Sequence, residues 1–178
     1  MSKQTEIRLG GSGGQGLILG GIILAEAAIL DNKNAVQAQS YGPEARGGAS
    51  KAEVIISDGH IDYPKVQHAD VFLALTQKAC DKYLSELKMN GLLIVDDKIE
   101  INPTTYENFK IVKVPILKTA LDDLKKGMVA NIIAMAVIQQ LTHVISKESL
   151  ETAVLKRVPK GTGELNKKAL LAGYNLVN

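Results

Sequence analysis

Gly11-Ser12-Gly13-Gly14-Gln15-Gly16 stands between a short segment of mixed polarity, Glu6-Ile7-Arg8-Leu9, and a long apolar stretch that begins at Leu17. A glycine turn from strand to helix is a place to hold an oxyanion. Glycine allows backbone angles closed to other residues, lets main-chain N–H groups approach a phosphate, and lets the helix pack close to the strand. Gly11, Gly13 and Gly16 occupy the three positions of the dinucleotide fingerprint, with Gly14 and Gln15 completing the turn. The same pattern serves equally a turn that only seats a helix on a sheet. A nicotinamide site would also need an acid at the end of the second strand, and Ala35-Val36-Gln37-Ala38-Gln39 runs instead into Ser40-Tyr41-Gly42. No Gly-Lys-Ser/Thr follows the glycines, so the P-loop arrangement for phosphate and magnesium is missing.

The second motif is Tyr41-Gly42-Pro43-Glu44-Ala45-Arg46-Gly47-Gly48. With Ser40 it forms a nine-residue connection containing three glycines and a proline. Loops held by rigid elements are where binding residues gather, and an arginine next to glycine can present its planar fork to a carboxylate or phosphate. A structural turn, with Glu44 and Arg46 solvated or paired locally, fits the spacing as well.

Alternating strands and helices must position these loops. Strands are expected at Glu6–Leu9, Ala35–Gln39, Ser50–Ile56, Val71–Leu75, Leu92–Val95 and Lys110–Val114, the third of them half-exposed because it partly alternates polar and apolar residues. Helices are expected from Leu17, from Gln77 to Lys88 with Thr76 as N-cap and Asn90-Gly91 closing it, around Thr119–Lys125, and from Gly127 to about Val144. Two more follow, one capped by Ser146 with Glu148 in its first turn and one from Glu164 to about Ala172. A nine-residue connection is too short for a parallel crossover, so the second and third strands are antiparallel or not neighbours, and the sheet is mixed. The reading is an α/β domain, a three-layer, Rossmann-like mixed sheet flanked by helices, with residues 1–178 as one domain.

The Leu17–Leu30 helix is apolar almost all round, which predicts burial against the sheet and against another subunit. Its Gly20-Gly21 pair, costly in a helix interior, predicts close approach of a neighbouring backbone. The Gly127–Val144 helix is either the centre of the core or half of an interface.

Composition narrows the function. With 21 basic and 19 acidic residues interspersed, no basic stripe for nucleic acid is evident. The start lacks the apolar run of a signal peptide and the apolar segments are interrupted before a membrane span, which predicts a cytoplasmic protein. One cysteine, Cys80, cannot supply an iron–sulfur cluster or a structural zinc, and reads as a small core residue. His60, His68 and His143 lack metal-ligand spacing, and Asp58-Gly59 reads as a turn.

Taken together, Gly-Ser-Gly-Gly-Gln-Gly after the first strand, Leu-Ala-Glu-Ala in the first helix, Ser-Tyr-Gly-Pro-Glu-Ala-Arg-Gly-Gly-Ala-Ser at 40–50, Ala-Glu-Val-Ile-Ile-Ser and Ile-Asp-Tyr-Pro resemble the gamma subunit of 2-oxoacid:ferredoxin oxidoreductases. The resemblance covers about residues 5 to 145 and is strongest to the 2-oxoglutarate branch. It implies a complex in which 2-oxoglutarate, coenzyme A and an oxidised acceptor such as ferredoxin give succinyl-coenzyme A, carbon dioxide and reduced acceptor. Alpha, beta and delta-type partners would carry thiamine diphosphate, magnesium and iron–sulfur clusters, for which this chain lacks ligands. No catalytic residue and no metal ligand is assigned here. Gly11, Gly13, Gly14, Gln15 and Gly16 would shape a turn facing cofactor phosphate, coenzyme A being the ligand implied. Tyr41, Gly42, Pro43, Glu44, Arg46, Gly47 and Gly48 would face the partner or coenzyme A. The alternatives are a self-sufficient Rossmann enzyme such as a small dehydrogenase, and a regulatory nucleotide-binding module.

Overall fold

A computed structural model describes residues 3–40 and 48–178. Strands β1 (Gln4–Ser12), β2 (Asn34–Gln39), β3 (Ala49–Ser57), β4 (Ala69–Ala74), β5 (Leu87–Asp96) and β6 (Lys110–Val114) form one sheet in the order β2-β3-β1-β4-β5-β6. β1, β4, β5 and β6 are parallel neighbours, as in a Rossmann half. β3 runs antiparallel to both β1 and β2, so the short connection between β2 and β3 joins antiparallel neighbours in a mixed sheet.

Helix α1 (Leu17–Leu30) leaves the glycine turn and ends where Asn32 takes a positive φ of 58°. α4 (Ala130–Thr142) follows a 3-10 turn at Gly127–Val129 and ends at left-handed His143. Every residue of α4 from Ala130 to Gln139 is buried, so the Gly127 segment is a central core helix. α5 (Lys147–Arg157) packs on α1, and α6 (Gly163–Asn175) on α4. These C-terminal helices cover apolar surface of α1 and α4 within the chain. The tightest approach is Gly173 of α6, where any Cβ would collide with the Ile133 carbonyl. At Gly20 and Gly21 the neighbours are side chains instead, Met135 on one side and Gln37, Ala52 and Val54 on the other, so the expected backbone contact at that pair is not what the glycines serve.

The opposite sheet face carries α2 (Gln77–Tyr83), capped by Thr76, whose hydroxyl accepts from the Ala79 N–H at 3.3 Å. α2 stops five residues short of the expected Lys88. Tyr83 is buried and donates to the Ala49 carbonyl at 3.1 Å, Leu84–Glu86 tightens into a 3-10 turn, and Leu87 already pairs with Ala69. Lys88 to Gly91 bulge opposite Asp70 alone, with Asn90 at a φ of 61°, so Asn90-Gly91 shapes a strand irregularity and closes no helix. Helical periodicity in Leu84-Ser-Glu-Leu-Lys-Met loses to sheet pairing and burial. β3 also departs from expectation: it is buried along most of its length, because its polar alternation faces an internal ion pair rather than water. After β6 the chain makes a short helix, α3 (Ile116–Lys118), and a π turn at Thr119–Asp123. No described helix is long and apolar enough to cross a membrane.

Asp31, just past α1, joins the two ends of the helical layer. It accepts from the Ser146 N–H (2.6 Å), the Ser146 hydroxyl (2.7 Å) and the Ser149 hydroxyl (2.6 Å) at the start of α5. Desolvation pushes its pKa up, but these hydrogen bonds and Lys33 outweigh it, and the carboxyl is held below its ordinary value. A depressed folded-state pKa contributes stability that is complete above the unfolded value, about 4, and is lost as pH falls through the folded one. The stability difference between wild type and Asp31→Asn, measured by urea unfolding, should therefore shrink as pH drops below about 4. Asp96, raised mainly by desolvation, works in the opposite sense, so the difference between variants and not the whole acid curve isolates Asp31.

Candidate functional site at the glycine turn

The parallel strands end at one edge of the sheet, and the glycine turn sits there at the end of β1, between β3 and β4. Gly11 pairs with Ser50, Ser12 pairs with Ala49, and the Gly10 carbonyl accepts from the Leu75 N–H at 2.9 Å. The strand runs through Gly11 to Ser12, further than Leu9. Gly14 and Gly16 hold φ of 85° and 73°, which the turn demands and side-chain-bearing residues resist. Gln15 folds back so that its Oε1 accepts from the Ser12 N–H at 2.8 Å, and a Cβ on Gly11 would strike that carboxamide. Gln15 thus braces the turn from inside, while Gly13 and Gly14 are exposed.

Asn131, on the first turn of α4 and 4% exposed, is a residue that sequence reading missed. Its Nδ2 donates to the Gly16 carbonyl at 3.1 Å and its Oδ1 accepts from the Ile132 N–H at 2.9 Å. Nothing local signals this contact, which spans 115 positions of sequence. A Cβ on Gly16 would lie 2.5 Å from Asn131 Nδ2, so only glycine lets α4 approach the turn.

The turn opens on a cavity of about 410 Å³ lined by Ser12, Gly13, Gly14, Ser40, Ser50 and Lys51 together with the first residues of α1. Lys51 is the charged residue in this lining. No acidic residue occupies the first turn of α1, and its N-cap is a glycine with no side-chain bond to give. N–H groups that the helix cannot pair internally therefore face this edge. The arrangement can hold an anion by main-chain donors and one lysine.

Beneath the cavity lies a buried charge cluster. Arg8, 1% exposed, donates through Nε (3.0 Å) and Nη2 (2.8 Å) to Glu53 Oε1, directly across the β1–β3 ladder, and through Nη2 to the Val66 carbonyl at 3.3 Å. Arg8 Nη1 lies 2.6 Å from Glu86 Oε2, an ion contact rather than a well-aligned hydrogen bond. Lys51 reaches the same Glu53 oxygen at 3.0 Å and lies 5.4 Å from the centre of the Tyr83 ring. Glu53 thus answers a buried arginine on one side and holds the cavity lysine on the other. A charged residue inside the apolar run Ile7-Arg8-Leu9 was the available sequence signal.

Of the second motif, Gly48 is a half-buried bend residue before β3. Tyr41, Gly42, Pro43, Glu44, Arg46 and Gly47 lie outside the described residues. The chain on either side of them, Ser40 and Ser50, reaches the cavity beside the glycine turn. Cys80 is a core residue whose thiol burial pushes up to about 11, and His60, His68 and His143 are exposed. Asp58 lies at the far end of the sheet, its N–H bonded to the Lys3 carbonyl. No group of three metal-binding side chains converges among the described residues. β3 separates β2 from β1, so β2 does not neighbour β1 as the second strand of a Rossmann unit does, although Ser40 at its end reaches the same cavity.

An α/β sheet of this order with a glycine turn at its β1 edge defines a class, and the sequence places the chain within it. The chain belongs to the pyruvate ferredoxin/flavodoxin oxidoreductase family, whose pattern matches residues 6–176, and it is of the gamma-subunit type. It is 49% identical to 2-oxoglutarate synthase subunit KorC of Methanocaldococcus jannaschii, over 99% of this chain and 95% of that one. The gamma subunit of a keto/oxoacid ferredoxin oxidoreductase from Geobacter sulfurreducens superposes with a TM-score of 0.88 at 50% identity, covering 98% and 96% of the two chains. The fold also recurs, at 22% identity and a TM-score of 0.87, within 31% of a longer chain of the Magnetococcus marinus 2-oxoglutarate:ferredoxin oxidoreductase, covering 98% of this chain.

Two outcomes test this geometry. Gly16→Ala should cost about 1–3 kcal/mol, and the loss should shrink in an Asn131→Ala background, because part of it is the collision with Asn131; thermal or urea unfolding of the four-member cycle reads the coupling. Glu53→Leu should cost about 3–5 kcal/mol by leaving Arg8 buried and poorly answered. Adding Arg8→Met should recover a large part of that loss, and a double variant less stable than Glu53→Leu alone would show that the pair matters through packing instead.

Proposed function

We propose that this chain is the gamma-type subunit of a 2-oxoglutarate:acceptor oxidoreductase and works without catalytic residues of its own. The complex would convert 2-oxoglutarate, coenzyme A and an oxidised acceptor such as ferredoxin to succinyl-coenzyme A, carbon dioxide and reduced acceptor. The observation that carries the reading is the end-to-end match, at 49% identity, to a 2-oxoglutarate synthase subunit.

The division of labour follows from what the chain can ligate. One buried cysteine cannot hold an iron–sulfur cluster, and there is no Gly-Asp-Gly with paired asparagines for magnesium diphosphate, so these groups do not fit this chain. Thiamine diphosphate, magnesium and clusters would belong to the alpha, beta and delta-type partners. This chain's part is assembly and closure on the coenzyme A side. Exposed Gly13 and Gly14 and the open N-terminus of α1 would meet phosphate through main-chain N–H groups, and Lys51, held by Glu53, would add a positive charge. The 40–48 connection would face the partner or coenzyme A across the same edge. The proposal includes a single-domain chain located in the cytoplasm. A stand-alone dehydrogenase is disfavoured by the missing acid at the end of β2 and by a strand order in which β3 stands between β2 and β1.

The purified chain alone should give no turnover with 2-oxoglutarate, coenzyme A and a viologen dye, and co-expression with its partner subunits should restore it. In that complex Arg46→Lys, which keeps the charge but loses the two-pronged geometry, should raise the KM for coenzyme A by roughly 5- to 150-fold, the equivalent of about 1–3 kcal/mol. Arg46→Ala should raise it further, with the 2-oxoglutarate KM unchanged. Turnover by the lone chain would overturn the subunit reading, and unchanged coenzyme A constants would remove Arg46 from it.

A further inference from the structure

On the helical side of the molecule, next to the glycine turn but not opening into it, a second cavity of about 240 Å³ lies between α1, the Gly127–Val129 turn, α4 and the connection from α5 to α6. Its walls are mostly apolar: Leu19, Met128, Ile132, Val158, Pro159 and Leu165. The two asparagines in its floor spend their amides inside the fold, Asn131 on the Gly16 carbonyl and Asn166 on the Thr162 carbonyl and hydroxyl. Met128 is 75% exposed at its mouth. An unbranched, polarizable side chain in such a place adapts to what it meets. Ile18 on α1 and Leu121, whose side chain touches Gly127, are exposed apolar residues at the same end of the helical layer.

Size and charge together select the occupant. Sites for small ligands and cofactors run to roughly 300–1,000 Å³, whereas a smaller apolar hole suits one large side chain, the anchor of a protein contact. The chain entering and leaving the cavity wall is basic: Lys126 precedes Met128 by two positions, Lys156 precedes Val158 by two, and Lys160 follows Pro159. All three are exposed, and no ion pair ties Lys126, Lys156 or Lys160 to a carboxylate among the described residues. The nearby acids that could cancel them are fewer. Glu26 is ion-paired with Arg157 and also feels the charge of Lys156, Glu164 lies against Lys167, and Asp122 and Asp123 stand in the π turn, so Lys126 and Lys160 are the less compensated of the three.

We propose that this cavity is a docking seat for a partner subunit, filled by one large aliphatic or aromatic side chain with aspartate or glutamate within a turn of it, the acids meeting Lys126, Lys156 and Lys160. This rests on the chain working as a subunit. Its geometry adds a consequence: Asn131 forms the floor of the seat and also holds the Gly16 carbonyl, so the partner's anchor would press on the glycine turn from behind.

The test uses the assembled complex, obtained by co-expression with its other subunits. Met128→p-benzoylphenylalanine, irradiated in the intact complex and mapped by mass spectrometry, should cross-link to a partner-chain segment in which an apolar residue lies within four positions of Asp or Glu. Lys126→Glu with Lys160→Glu should weaken assembly at least tenfold at low salt and much less at high salt, with the melting temperature of the lone chain unchanged. A cross-link to a second copy of this chain or to a basic segment, silence at position 128 in a complex that forms normally, or salt-independent assembly of the charge-reversed chain would each overturn the proposal. If no complex forms with the wild-type chain, the subunit reading itself falls, so the two failures are told apart.

Discussion

Arg8 is almost completely buried, and Glu53 answers it directly across the β1–β3 ladder. A charge that has left water must keep its partner, because an unpaired guanidinium in this setting costs several kcal/mol. The pair therefore pins the register of the antiparallel insertion. A slip of one residue would turn the guanidinium to the other face of the sheet, against the apolar side of α1 and α4, and would send Ile7 and Leu9 the opposite way. With that register held, Gly11 stands opposite Ser50 and Ser12 opposite Ala49, which brings the chain on both sides of residues 41–47 to the glycine turn. The arrangement of the candidate site is thus a consequence of an ion pair that forms no part of its lining.

The turn itself is held from three directions. Gln15 closes it from within, the Gly10 carbonyl fastens its root to β4 through Leu75, and Asn131 grips its last carbonyl from α4. α4 in turn is enclosed by α6, which needs Gly173 to come close enough, and α1 is clamped to α5 by Asp31 and by the Glu26–Arg157 ion pair. The C-terminal helices, which lie inside the family match over residues 6–176 and so extend it past the expected limit near 145, thereby stabilise the glycine turn. A glycine turn supported in this way is preorganised to present main-chain donors at little entropic cost, which suits a subunit proposed to shape a site whose reacting groups reside elsewhere.

Much of the architecture was legible from local physics. Strand positions follow from short apolar runs bounded by turn residues, and all six appear where those runs lie. Glycines at positions of positive φ announced the turn, Thr76 and Ser146 announced two helix starts through their capping hydroxyls, and the short 40–48 connection required antiparallel neighbours. These features depend on residues a few positions apart, so their energetics can be read along the chain.

What only the tertiary structure decided depends on distant partners. The stretch from Leu84 has helical spacing, yet Tyr83 bonds to Ala49, Glu86 meets Arg8 and Leu87 pairs with Ala69, and together these end the helix early. The polar alternation of β3 looks like exposure to solvent until Arg8 is found opposite it. Asn131 carries no local mark of its bond to Gly16, and the apolar cavity beside Met128 exists only because four separate segments meet. Periodicity records which residues prefer to leave water, whereas the partner each one meets there is set by how the layers pack, and that is a property of the whole chain.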